Sequence, residues 1–304
     1  MRVCLIGYGY WGKNLARVFG KDLVGICDYN KDNLDKAKEL YDVNYFSSWE
    51  ELYQSDLEYD TVAIATKADT HFDLANKFLL ADKNIWIEKP ACINTKDISY
   101  LIKIRGDNKV FVDHTFVYHP AIQKIKTIDI GKPLYYDSHR ISLGLFQKDV
   151  DAILDLAIHD LSIIDYIYPD LILDDRSIIK NNHINDKANQ SIINLKFTNG
   201  FTAIINVNWV SPVKKREIIF AGSNSSIIFD DISVEKVKVY DTGEIGDDYN
   251  INSVKGYRNI EIPDMIEALS QGYEEFKNSV KEDRQPLTSL ERSLKIQSWV
   301  EKLW

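Results

Sequence analysis

The fold of this chain is decided at its start, in Val3-Cys4-Leu5-Ile6-Gly7-Tyr8-Gly9-Tyr10-Trp11-Gly12. A short apolar run leads into G-x-G-x-x-G, and the pattern from Trp11 to Phe19 is that of an amphipathic helix. A second apolar segment, Leu23–Cys27, ends at Asp28, 21 residues after Gly7 and near the ~20 expected for an acid that meets a ribose. Gly7 suits a tight turn, Gly9 a close approach to a pyrophosphate, and Gly12 close packing of helix on strand. Backbone N–H groups opening the helix then face the phosphates. A lone G-x-G-x-x-G can be nothing more than a strand–helix turn. Its place between strand and helix, with an acid at this distance, points to a dinucleotide. Asp28 suits the two ribose hydroxyls and repels a 2′-phosphate, and no arginine stands beside it, so NAD is expected over NADP; Lys31 is the residue that argues the other way.

Outward from this segment, apolar runs and amphipathic stretches alternate over the first ~115 residues. Strands are expected at Arg2–Ile6, Leu23–Cys27, Asn44–Phe46, Thr61–Ala65, Asn84–Glu88 and Lys109–Asp113. Helices are expected at Trp11–Phe19, Asp32–Tyr41, Ser48–Gln54, Thr70–Ala81 and Thr95–Arg105. Runs such as Val62-Ala63-Ile64-Ala65, apolar throughout, suit a parallel sheet covered on both faces. The expectation is an α/β chain whose residues 1–117 form a doubly wound Rossmann sheet. Residues 118–304 read as an α+β domain with an open, mainly antiparallel sheet, serving substrate binding and oligomerisation. One helix, Ala152–Ile167, accompanies strands at Tyr135–Ser142, Gln190–Phe197, Phe201–Asn208, Glu217–Gly222 and Ser225–Asp230. Asn199-Gly200 marks a hairpin and Ala221-Gly222-Ser223-Asn224 another turn. Asp241–Gly256 is acidic and unpatterned and is expected as an exposed loop. Thr288-Ser289-Leu290-Glu291 resembles a capping box opening a last helix that ends at Trp304 and packs back on the Rossmann domain.

Composition narrows the function. A net charge of −9 argues against a nucleic-acid binder, which presents a basic face. Cys4, Cys27 and Cys92 are scattered without a C-x-x-C pair, so a reducing, cytoplasmic setting is expected rather than a disulfide scaffold or zinc site. No stretch approaches the ~20 apolar residues of a membrane helix.

Two further constellations carry chemistry. Glu88-Lys89-Pro90 stands at the expected end of the fifth strand, the edge where open α/β sheets bind ligands. A lysine there can hold a substrate hydroxyl, or can be a solvated charge. Asp155 and His159 are four apart in a helical pattern and share a face. They suit an orienting group and a general base, two metal ligands, or a structural pair; no third ligand stands at a convincing spacing, so no metal is expected. Arg140, on an expected sheet strand, suits a substrate carboxylate or phosphate, or is a solvated charge.

Together these motifs, in this order, resemble the glucose–fructose oxidoreductase / inositol dehydrogenase / MocA family over nearly the whole chain. Tyr10-Trp11-Gly12-Lys13-Asn14, His114-Thr115-Phe116-Val117-Tyr118-His119-Pro120 and Leu143-Gly144-Leu145-Phe146-Gln147-Lys148-Asp149-Val150 are similar to its sugar-nucleotide 3-dehydrogenase branch. That branch oxidises the C3 hydroxyl of sugars like UDP-N-acetylglucosaminuronate. The resemblance implies NAD held by Gly7, Gly9, Tyr10, Trp11, Gly12, Asp28, Thr66, His71 and Glu88. It implies Lys89 on the reacting hydroxyl, His159 as base, and Asp155 orienting the sugar or the histidine. Tyr118 and Arg140 join Lys89, Asp155 and His159 around the substrate. It also implies a cis bond between Lys89 and Pro90. Lys67 stands where the family often has proline, which puts the local loop geometry in question. His114 and His119 stay outside the catalytic set. The alternatives are a reductase of a keto sugar, a dehydrogenase of a free aldose or inositol, and a non-catalytic NAD sensor. A homodimer or homotetramer joined through the open sheet is expected.

Overall fold

A computed structural model describes residues 1–144, 146–147, 149–184, 186–242, 256–262 and 266–301. Leu145 and Lys148 of the family-like segment, residues 243–255 of the acidic stretch and the last three residues to Trp304 lie outside the described residues. The chain divides into two compact units. The first is Met1–Thr115 with Leu269–Lys295; the second is Phe116–Ala268 with Ile296–Trp304.

In the first unit β1 (Val3–Ile6), α1 (Gly12–Phe19), β2 (Leu23–Cys27), α2 (Lys31–Lys38), β3 (Asn44–Phe46) and α3 (Trp49–Gln54) form one wing. β4 (Thr61–Ile64), α4 (His71–Leu79), β5 (Asn84–Glu88), α5 (Thr95–Ile104) and β6 (Val110–Asp113) form the other. All strand pairs are parallel and the order is β3-β2-β1-β4-β5-β6. This is the doubly wound Rossmann order, with its switch point between β1 and β4. The strands are apolar throughout because both faces are covered: every residue of β1, β4 and β6 is buried. Trp86 and Phe111 stack at 3.9 Å in the sheet, and Phe276 meets Trp86 edge-on at 5.8 Å.

The second unit opens with α6 (Pro120–Ile125) and β7 (Pro133–Leu143). A π-helical turn, Ile153–Ala157, runs into α7 (Ile158–Ile167). β8 (Leu173–Asn181), β9 (Gln190–Phe197), β10 (Thr202–Asn208), β11 (Val210–Gly222), β12 (Ser225–Asp230), β13 (Val237–Asp241) and β14 (Arg258–Asn259) follow. The eight strands are ordered β14-β13-β12-β11-β7-β10-β9-β8. Only β7 and β10 pair in parallel among the described strands; the sheet is mainly antiparallel, as expected. Both expected hairpins form: Gly200, at φ +86°, turns β9 into β10, and β11 returns as β12. One face carries the apolar residues of the core, including Ile193, Leu195, Ala203, Ile205 and Val207 against Ile153, Ile158 and Leu161. The other face leaves Tyr135, Ile179 and Ile204 exposed.

α8 (Ala268–Lys281) and α9 (Leu290–Glu301) close the chain. Residues Leu269–Lys295 belong with the parallel sheet. The capping-box expectation shifts by one residue, since α9 opens at Leu290. Glu291 instead forms an ion pair with Arg105 at 2.7 Å. Among the described residues, no helix is long and apolar enough to cross a membrane.

Candidate active site

The glycine turn at the carboxyl end of β1 is shaped by contacts that exclude side chains. Gly7 adopts φ +95°, and a Cβ there meets the carbonyl oxygen of Ala65 at 2.6 Å. A Cβ on Gly12 stands 1.9 Å from the carbonyl oxygen of Gly7. Gly9 differs, because a Cβ on it meets nothing within 4 Å. Its requirement for glycine therefore comes from space kept open outside the protein's own packing. No side chain caps the start of α1, whereas Asn30, Ser48 and Asn94 cap α2, α3 and α5. An open cradle before uncapped helix N–H groups is what a pyrophosphate needs.

Asp28 is buried just past β2. Its Oδ2 accepts from Tyr8 N at 2.7 Å and Asn33 Nδ2 at 3.1 Å, and its Oδ1 accepts from Asn30 N at 2.8 Å. A carboxylate has about four lone-pair sites, so one remains, on Oδ1. Three amide donors of the chain itself hold the carboxylate in place and leave an acceptor position on Oδ1. The residues fit NAD: the glycines supply the cradle and Asp28 a ribose acceptor. Tyr10 is exposed on the turn, while Trp11 directs its indole N–H to Asp113 Oδ2 at 3.3 Å.

After β4, Thr66 Oγ1 and Thr70 Oγ1 are 2.6 Å apart. His71 is buried, with Nδ1 2.9 Å from Pro90 O and Nε2 3.2 Å from Thr66 O. Both ring nitrogens face main chain, so His71 ties the loop after β4 to the loop after β5. Lys67 adopts φ −71° and ψ 146°, the backbone that proline itself prefers. The loop keeps the shape that proline imposes elsewhere.

Glu88 ends β5 in register with Asp113 at the end of β6, and both carboxyl side chains are buried there. Lys89 follows at once, half-buried, and its bond to Pro90 is cis. His114, next to Asp113, is buried with Nε2 3.0 Å from Ser293 Oγ. Burial, and then the charge of Lys89, push its imidazole down to about 3, which makes it a neutral structural group.

In the second unit, Asp151 caps the π-turn by accepting from Ile153 N and Leu154 N, both at 3.0 Å. Asp155 stands in that turn and accepts from the Trp209 indole at 3.1 Å. His159 lies one turn on in α7, its ring edge against Phe116 at 5.1 Å. Asp155 lies in a turn that is π rather than α, a wider winding found often at functional sites. Arg140 Nε donates to Asp160 Oδ2 at 3.2 Å, and its guanidinium stacks 4.3 Å over the Phe116 ring. Asp160 is fully buried and also accepts from Tyr136 Oη at 2.8 Å. Arg140 is thus held in an interior ion pair through its Nε. Tyr118, expected on the substrate, is buried, at 2% exposure.

Trp209, Asp151, Phe116, Asp160 and Ser293 were not among the expected site residues. Their partners lie far off in sequence, and only Asp151, at capping distance before Asp155, left a local sign.

Residues 1–115 match the family described as "Oxidoreductase family, NAD-binding Rossmann fold". UDP-N-acetylglucosamine 3-dehydrogenase of Acidithiobacillus ferrooxidans is 27% identical over 236 residues, 75% of this chain and 74% of that protein. Its solved structure, GnnA, superposes with a TM-score of 0.85 at 24% identity, covering 100% of this chain and 96% of the other. Myo-inositol 2-dehydrogenase of Thermotoga maritima is 25% identical over 290 residues, 85% of this chain and 84% of that protein. Glycine cradle, strand order and family match agree: residues 1–115 are an NAD-binding Rossmann domain of the glucose–fructose oxidoreductase / inositol dehydrogenase / MocA oxidoreductase family.

Proposed function

We propose that the protein is an NAD-dependent dehydrogenase of a nucleotide-linked sugar, oxidising the C3 hydroxyl of a UDP-linked N-acetylhexosamine or uronate. The observation that carries this is the open cradle at Gly9 beside buried Asp28, in a Rossmann unit whose fifth strand ends in Glu88-Lys89-Pro90. The substrate follows the Acidithiobacillus relative, which is named for UDP-N-acetylglucosamine. Gly7 and Gly12 shape the turn, Gly9 leaves the room the pyrophosphate takes, and Asp28 accepts from a ribose hydroxyl. Bound NAD supplies the hydride acceptor. Lys89 holds the reacting hydroxyl and, by its positive charge, favours loss of its proton. His159 takes that proton, and Asp155, fixed by Trp209, orients the sugar or the histidine.

Myo-inositol 2-dehydrogenase aligns over a longer stretch than the UDP-sugar enzyme, and this favours a free polyol as the second reading. A panel crossing NAD and NADP with UDP-sugars, free hexoses and inositols separates the two. Reduction of NAD by a UDP-sugar supports the first; reduction only with a polyol keeps the chemistry and discards the nucleotide. Running the panel backwards on keto sugars tests the reductive direction. The exposed sheet face with Tyr135, Ile179 and Ile204 supports a homodimer or homotetramer built by isologous packing. Three buried cysteines, none in a disulfide among the described residues, support a reducing, cytoplasmic setting.

A further inference from the structure

Glu88 and Asp113 end neighbouring parallel strands in register with both side chains buried, which sets their carboxyl groups side by side in the interior. Two ionised carboxylates cannot share a hydrogen bond, since neither has a proton to give. The neighbours say which one holds it. Asp113 accepts from Thr115 Oγ1 at 2.8 Å and from Trp11 Nε1 at 3.3 Å, donors that suit an anion. Glu88 Oε1 is buried and has no hydrogen-bond partner among the described residues. A bare buried oxygen is costly on a carboxylate and far less so as the carbonyl of a neutral acid. Besides each other, the charged group acting on the two carboxyls is Lys89, and His114 beside Asp113 is neutral.

We propose that Glu88 and Asp113 are one acid pair holding a single proton, and that this pair, tied to the glycine turn through Trp11, fixes the strand end from which Lys89 projects. Glu88 is the donor and Asp113 the anion that balances the Lys89 ammonium. Both are positioning residues, and Glu88 acts here rather than on the cofactor. Burial first, and then the charge of Asp113, push Glu88 well above the ordinary carboxyl range. Because the folded state keeps a proton that the unfolded chain releases above ~4.3, stability from this pair is full below that pH. It falls as pH rises toward the folded value. The pair stands on the first unit alone; its effect on Lys89 rests on the dehydrogenase reading.

The test compares ligand-free wild type with Glu88→Gln and Glu88→Ala. Infrared spectra at neutral pH are expected to show a protonated-carboxyl C=O band in wild type that both variants lose. The melting temperature of wild type is expected to fall more steeply than that of Glu88→Gln as pH rises above about 5. Glutamine keeps a donor to Asp113, so turnover in Glu88→Gln is expected to exceed that of Glu88→Ala at least tenfold, with the alkaline limb of its pH profile flattened. A wild type without the band, or the same band in all three proteins, overturns the shared proton. Equal turnover in the two variants, or an alkaline limb unchanged in Glu88→Gln, overturns the link to Lys89. Absence of turnover in wild type with the band present overturns the dehydrogenase reading and leaves the pair standing.

Discussion

At the scale of the residue, the three glycines of the first turn separate structure from ligand. Gly7 and Gly12 face backbone atoms of the chain itself, while Gly9 faces open space. Gly9→Ala is therefore expected to leave the melting temperature unchanged and weaken NAD binding by about 10- to 100-fold, or roughly 1.4–2.8 kcal/mol, measured by calorimetry. Gly12→Ala is expected to fail to fold, which circular dichroism checks. His114 gives a second prediction. Its imidazole, held down to about 3 by burial, titrates near 6.5 when unfolded. The unfolded chain thus binds the extra proton between those values, and stability present above about 6.5 is lost on acidification. His114→Gln is expected to flatten the loss of melting temperature between about pH 6.5 and pH 4; an equally steep loss contradicts it.

At the scale of the element, legibility followed how far each signal reaches along the chain. The six parallel strands were readable because burial on both faces makes them apolar runs, and the turn chemistry at Asn199-Gly200 is local. β8 was missed because an edge strand with outward Asp174, Asp175 and Lys180 shows little apolar pattern. α8 was missed as well, although Tyr273 and Phe276 recur at helical spacing. The G-x-G-x-x-G turn and the Asp155/His159 pair were legible as short motifs. The donor on Asp155 was not, since Trp209 lies 54 residues away. The fate of Arg140 was equally hidden, because its partner Asp160 is joined to it only by the packing of α7 on β7. That buried pair fixes the helix carrying His159. Asp160→Ala, which leaves Arg140 buried and unmatched, is expected to destabilise the protein by about 3–5 kcal/mol. Denaturant unfolding checks this, and a loss below about 1 kcal/mol contradicts the account of a desolvated pair.

At the scale of the whole molecule, the eight-stranded sheet leaves Tyr135, Ile179 and Ile204 open on one face. If that face joins copies of the chain, wild type sediments as a dimer or tetramer and Ile204→Glu, which places a charge on it, sediments as a monomer. A monomeric wild type contradicts the proposed assembly. The reaction itself is most directly tested by nicotinamide reduction, with purified wild type, NAD and UDP-N-acetylglucosamine or its uronate, beside Lys89→Met and His159→Asn. The account predicts reduced nicotinamide in wild type, a loss of turnover of at least a thousandfold in both variants, and NAD affinity unchanged in His159→Asn. Absence of reduction with every sugar tried, or turnover undiminished in the two variants, contradicts it.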